Sequence, residues 1–118
     1  MVSKAGLGDL LAPLESAFAE GRKAFESNCM ACHSVNLVGG SMGPELNVPR
    51  NICEYRSTSF IQDFISSPQS YRAASPMPAM PFIKGTELKN LMGYLCHMAK
   101  RKVCATAEDC KQFGIKRR

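Results

Sequence analysis

Residues 34–57 specify no regular element, and that gap constrains the fold more than any other feature of the sequence. Gly, Pro and Asn punctuate the stretch from Ser34 to Arg50, which is the composition of turns and loops. A compact domain rarely holds a structureless stretch of about 20 residues without a reason. At 118 residues the chain is expected to form one domain, residues 1–118, with a core at about 14–102 and a C-terminal extension at 103–118. It has no Trp and nine aromatic residues. Leu, Ile, Phe and Met must fill the core, and the loops need something non-protein to wrap.

The flanks of the gap are helical by pattern. Leu14, Phe18, Gly21 and Phe25 recur at steps of four, three and four, one face of a helix that runs from Leu14 to about Ser27. Ser59 and Gln62 have the spacing of a capping box for a short helix that ends at Ser66, before Pro68. Thr86 is a suitable N-cap for a long helix that reaches about Lys102, with Leu88, Leu91, Leu95 and Met98 as its apolar stripe. Between these helices, Ser75–Pro81 holds three prolines in seven residues and reads as a stiff, extended loop. Thr106 and Asp109 have the spacing to cap a final short turn. No stretch alternates with period two, so the expected class is all-α with long loops.

Cys29-Met30-Ala31-Cys32-His33 supplies the missing centre. C-x-x-C-H is the pattern that attaches a c-type haem. Two thiols three positions apart can add to the two vinyl groups of a porphyrin, and the adjacent imidazole then ligates iron. A zinc site would want a second close pair of Cys or His. Cys53, Cys96, Cys104 and Cys110 do not form one. A thioredoxin-like redox pair needs a βαβ setting that the pattern lacks.

With these residues in view, the chain resembles the class I monohaem cytochromes c over about residues 14–100. Gly21, Phe25, Cys29, Cys32 and His33 match the family's opening motif. Gly43, Pro44 and Leu46 match its G-P-x-L element, Met77-Pro78 its methionine loop, and Leu91 and Tyr94 its last helix. The resemblance implies first and last helices crossed over one covalently bound haem c. It implies that the Pro44 carbonyl accepts a hydrogen bond from the Nδ1–H of His33, and that His33 and a methionine are the axial iron ligands. The expected role is a periplasmic, non-enzymatic carrier of one electron between redox proteins. Two other readings stand beside it: a haem sensor or small haem enzyme with a labile axial ligand, and a docked cytochrome subunit of a larger oxidoreductase.

Met42, Met77, Met80, Met92 and Met98 are the candidate sulfur ligands. Met92 and Met98 fall on the last helix as core, and Met42 falls on the histidine-side loop. The resemblance puts the ligand about 17 or 18 residues before the helix tyrosine, and Met77 stands 17 before Tyr94 against 14 for Met80. Met77 is therefore the expected ligand and Met80 its packing neighbour. His97, a spare histidine on the last helix, is expected to pack or to face solvent. Four cysteines outside the haem motif allow three pairings. Cys104 with Cys110 is favoured by the short intervening stretch, which leaves Cys53 with Cys96. Disulfides fit an extracytoplasmic compartment. The first ten residues lack the apolar core of a signal peptide, so the sequence reads as a mature form.

Charge is unevenly placed. Residues 1–96 hold eight basic and eight acidic residues, whereas residues 97–118 hold seven basic and two acidic. No apolar run approaches the roughly 20 residues of a membrane helix, and a monomer with no transmembrane segment and no nucleic-acid partner is expected. The basic end either steers an acidic redox partner or serves as a solubilising surface. If it steers, truncation after Cys110 flattens the fall of the electron-transfer rate with rising salt, since exposed charges are screened over about 10 Å at 0.1 M. Stopped-flow rates across an ionic-strength series check this, and identical salt slopes assign the tail to solubility.

Overall fold

The computed structural model describes residues 18–102 together with Glu108 and Lys111. Two helices carry the architecture: α1, Ala19–Asn28, and α4, Gly85–His97, which pack against each other. Between them lie a two-stranded antiparallel hairpin (β1, Ser34–Val35; β2, Val38–Gly39), a single helical turn α2 (Ile52–Tyr55), and α3 (Thr58–Ser66). A 3-10 turn, Pro68–Ser70, follows α3, and another, Met98–Lys100, extends α4. The class is mostly helical with first and last helices in contact, as the sequence implies.

The helix contact is centred on Gly21. A Cβ there would stand 2.5 Å from Tyr94 Cβ and would overlap the Asn90 carbonyl. The space left by Gly21 thus receives α4 backbone at Asn90 together with the root of Tyr94. Phe25 and Tyr94 are fully buried beside it, with ring centroids 6.0 Å apart. Leu91, Leu95 and Met98 of the expected stripe are buried with them, and Leu88 is partly buried. Met92 is buried too. His97 stacks on Phe18 at 4.0 Å, so the spare histidine packs. Arg22 is buried in α1 with its guanidinium 2.8 Å from Glu26.

Several boundaries differ from expectation. Leu14 lies outside the described residues, and α1 begins at Ala19. The cap of α3 is Ser57 rather than Ser59: its Oγ accepts the Phe60 N–H at 3.1 Å. Helix α4 begins at Gly85 with Lys84 as its cap, two residues before the start that a Thr86 cap implies, and Gly85 enters it at a φ of 60°. Residues 34–57 do contain elements. Asn36 and Leu37, both at positive φ, make the tight turn between β1 and β2. Asn51 and Glu54 form a reciprocal capping box for α2, a pattern the sequence displays but that one turn of helix leaves without apolar periodicity.

Cys53 of α2 is bridged to Cys96 of α4 across a sequence separation of 43, with Cα atoms 5.4 Å apart. The partner pairing, Cys104 with Cys110, lies outside the described residues, as does the expected Thr106 cap. Lys102 donates to Glu54 at 2.6 Å and to the Pro49 carbonyl at 3.1 Å, closing the same face. The Lys102 hydrogen bond and then the Asn51 N–H hold the Glu54 carboxyl below its ordinary range.

Two outcomes follow from this packing. Gly21→Ala forces Asn90 backbone to retreat and should destabilise the protein by about 1–3 kcal/mol, despite the better helix propensity of Ala; denaturant titration reads the loss. Glu54 has a folded-state pKa below its unfolded value, so its stabilisation is complete above the usual glutamate range and is lost as pH falls through the lowered value. Glu54→Gln should therefore flatten the acid limb of the stability curve. The effect is small because the pair is largely solvated.

Candidate functional site

Helix α1 ends where the site begins. Its last turn hands the chain to Cys29, whose N–H donates to the Phe25 carbonyl at 2.8 Å, and His33 N–H donates to the Cys29 carbonyl at 2.9 Å. The two thiols and the imidazole thus sit on one short, hydrogen-bonded run that continues the helix. Cys29 and Cys32 are both half-buried and are not bridged to each other. Burial, and then the proximity of Cys32, pushes the Cys29 thiol up to about 11. A thioredoxin-like attacking cysteine needs the opposite shift.

His33 Nδ1 stands 2.8 Å from the Pro44 carbonyl. A carbonyl only accepts, so Nδ1 carries the proton and Nε2 keeps its lone pair. Gly43 lies flat against the ring: a Cβ at that position would come within 2.7 Å of Nδ1 and 2.9 Å of Nε2. Gly43 and Pro44 thus act together, one by leaving space and the other by fixing the tautomer. Gly43 was visible in the sequence only as part of a motif, with no role attached.

The loop is held to the histidine segment by main-chain bonds. Gly43 N–H donates to the Cys32 carbonyl at 2.7 Å, and Leu46 N–H to the Ser34 carbonyl at 2.8 Å. Glu45 adds a side-chain knot. Its carboxylate accepts the N–H groups of Leu37 at 2.7 Å, Asn47 at 2.5 Å and Val48 at 2.6 Å. Behind it runs a fully buried ladder of amides, which sequence reasoning missed. Asn47 donates to Asn36 at 2.8 Å, Asn51 to Asn47 at 2.9 Å, and Asn51 also to the Leu95 carbonyl of α4 at 2.7 Å. Asn36 in turn donates to the Arg101 carbonyl at 3.0 Å. Three Asn residues in a Gly- and Pro-rich stretch read as turn formers, and only the tertiary contacts distinguish them.

The two leading methionines sit on the loop before α4, both half-buried and packed against the core. The Met77 carbonyl accepts from Gln69 Nε2 at 2.7 Å, and its N–H donates to Ser75 Oγ at 3.3 Å. Met80 is held to α3 by its N–H to the Ile65 carbonyl at 2.9 Å, and its carbonyl accepts from Ile83 at 3.1 Å. Met42 is 82% exposed. Among the described residues no three His, Cys, Asp or Glu side chains converge as a metal site, and no helix is long and apolar enough to cross a membrane. The donor set fits a porphyrin iron: two thiols in the attaching pattern, an imidazole with Nε2 free to ligate, and a methionine-bearing loop packed on the same core.

Comparison with known proteins agrees with this geometry. The cytochrome c family matches residues 18–99, from the start of α1 to the end of α4. Cytochrome c oxidase subunit 2 of Alkalihalophilus pseudofirmus is 31% identical over 90 residues, which cover 70% of this chain. The match spans only 26% of the length of that protein. No solved structure matches the chain significantly. With its helix pair, its C-x-x-C-H segment and its Pro44-supported histidine all inside the matched region, the chain belongs to the cytochrome c family.

Proposed function

We propose that the protein is a periplasmic carrier of single electrons, with one haem c bound through Cys29 and Cys32. The observation that carries this reading is the His33–Pro44 contact at 2.8 Å directly after the attaching cysteines. When bound, haem supplies a one-electron ferric–ferrous couple. The chain's own contribution is positional. His33 would hold the iron through Nε2, Pro44 fixes the imidazole tautomer and raises its basicity, and Met77 would supply the other ligand through its sulfur. Pro76 and Pro78 bracket Met77 and reduce the freedom lost on ligation. With His33 and Met77 both engaged, the iron would have no site for substrate, which favours transfer over catalysis. The Cys53–Cys96 bridge supports an oxidising compartment.

One observation favours a second reading. The relative from Alkalihalophilus pseudofirmus is named as a subunit of an oxidase, so this chain is alternatively a docked subunit of a larger oxidoreductase. Co-purification from the native membrane in mild detergent separates the two: a stoichiometric complex supports the subunit, and a free cytochrome supports the carrier. An acidic partner is the expected docking surface in either case.

Haem attachment is tested by intact mass and by the spectrum of the purified protein. Ready carbon monoxide binding by the ferrous form would overturn the closed axial set and favour a sensor. Met77→Ala should abolish the weak long-wavelength sulfur-to-iron band of the ferric protein and lower its potential, whereas Met80→Ala should leave the band. The reverse pattern would transfer the ligand role to Met80.

A further inference from the structure

We infer that Glu45 is a positioning residue for His33, setting through the Pro44 carbonyl how strongly the imidazole donates to iron. The inference rests on the haem reading above and concerns what tunes it. Glu45 follows Pro44 directly, and its carboxylate is the point at which three segments meet. One oxygen accepts the Leu37 N–H, on the left-handed turn four residues after His33. The other accepts the N–H groups of Asn47 and Val48, just beyond Pro44. The carboxylate therefore ties the hairpin that leaves His33 to the loop that returns to its ring.

Pro44 has no N–H and is exposed. Its carbonyl is placed by the chain on either side, where Ser34 and Glu45 pair in a parallel bridge. Gly43 and Leu46 anchor the chain on either side through single main-chain bonds to Cys32 and Ser34. Glu45 supplies the third restraint, charged and shared among three donors, and charge-assisted bonds are roughly twice as strong as neutral ones. Asn47, whose N–H it holds, is also the middle rung of the buried amide ladder to α4. The knot therefore connects the His33 support, through the ladder, to the Leu95 carbonyl of α4.

The electronic consequence has a definite sign. A firm Nδ1–H···O=C bond makes the imidazole a stronger donor, which favours ferric iron and lowers the potential. Loosening Pro44 weakens the bond and raises the potential.

The experiment compares haem-loaded wild type with Glu45→Ala, Glu45→Gln and Glu54→Gln. The readouts are the reduction potential by spectroelectrochemical titration and the solvent exchange of the His33 Nδ1–H by NMR of the ferrous protein. E45A should raise the potential and speed exchange about tenfold, the factor that accompanies loss of one hydrogen bond's net stabilisation. E45Q keeps an acceptor for Asn47 and Val48 and loses the one for Leu37, so it should fall between. If E45A does not fold, E45Q carries the test. E54Q, which removes a carboxylate on α2, should leave both readouts at the wild-type value. A folded E45A, or a folded E45Q in its place, that loses stability but keeps the wild-type potential and exchange rate overturns the positioning role. A potential shift of the same size in E54Q also overturns it, because any lost carboxylate would then suffice. A wild-type chain purified from a haem-attaching host without haem overturns the underlying reading, and mass spectrometry detects that before any variant is compared.

Discussion

The close approach of α1 and α4 at Gly21 is the constraint on which the rest of the structure depends. Helix axes usually keep the distance their side chains impose, and here the absence of one side chain lets backbone meet backbone. The Asn90 carbonyl and Tyr94 Cβ occupy that space, and Phe25 and Tyr94 close over it without exposure. Because α1 runs directly into Cys29, the helix contact also fixes where the two thiols and His33 stand. Packing energy at one end of the helix becomes geometry at the other.

The second organising principle is the use of side-chain acceptors and donors where regular structure is absent. Buried backbone and amide groups must find partners. Between Ser34 and Tyr55 the partners are Glu45, Asn36, Asn47 and Asn51, with help from two strands of two residues each. The ladder ends on carbonyls of α4 and its extension, at Leu95 and Arg101. The loop is thus tied by side-chain bonds in addition to its main-chain ones.

Features that repeat, or that carry their own chemistry, could be read before the structure was seen. The apolar faces of α1 and α4, the C-x-x-C-H run and the fit of Gly43-Pro44 to a known motif all belong to that group. The Cys53–Cys96 pairing also emerged, by elimination from a short-range pair that lies outside the described residues. Helix starts were less legible. Ser57 and Ser59 offer equivalent hydroxyls, and only the chain direction selects the first; α4 begins at Gly85, ahead of the start that a Thr86 cap implies. The amide ladder was illegible because an asparagine that forms a turn and one that is buried in a network have the same local sequence context. The choice between Met77 and Met80 rests on loop register, since both precede proline and both pack on the core.

The bridge between Cys53 and Cys96 has a bearing on how the chain matures. A thiol that adds to a vinyl group must be reduced, and a sulfur already in a disulfide is chemically closed to that reaction. Among the described residues the bridge removes two of four sulfurs from competition and leaves Cys29 and Cys32. It joins α2 to α4, whereas Cys29 and Cys32 follow the end of α1 in the chain. With one pair already bridged, only the other pair among the described residues is left for the proposed addition to porphyrin.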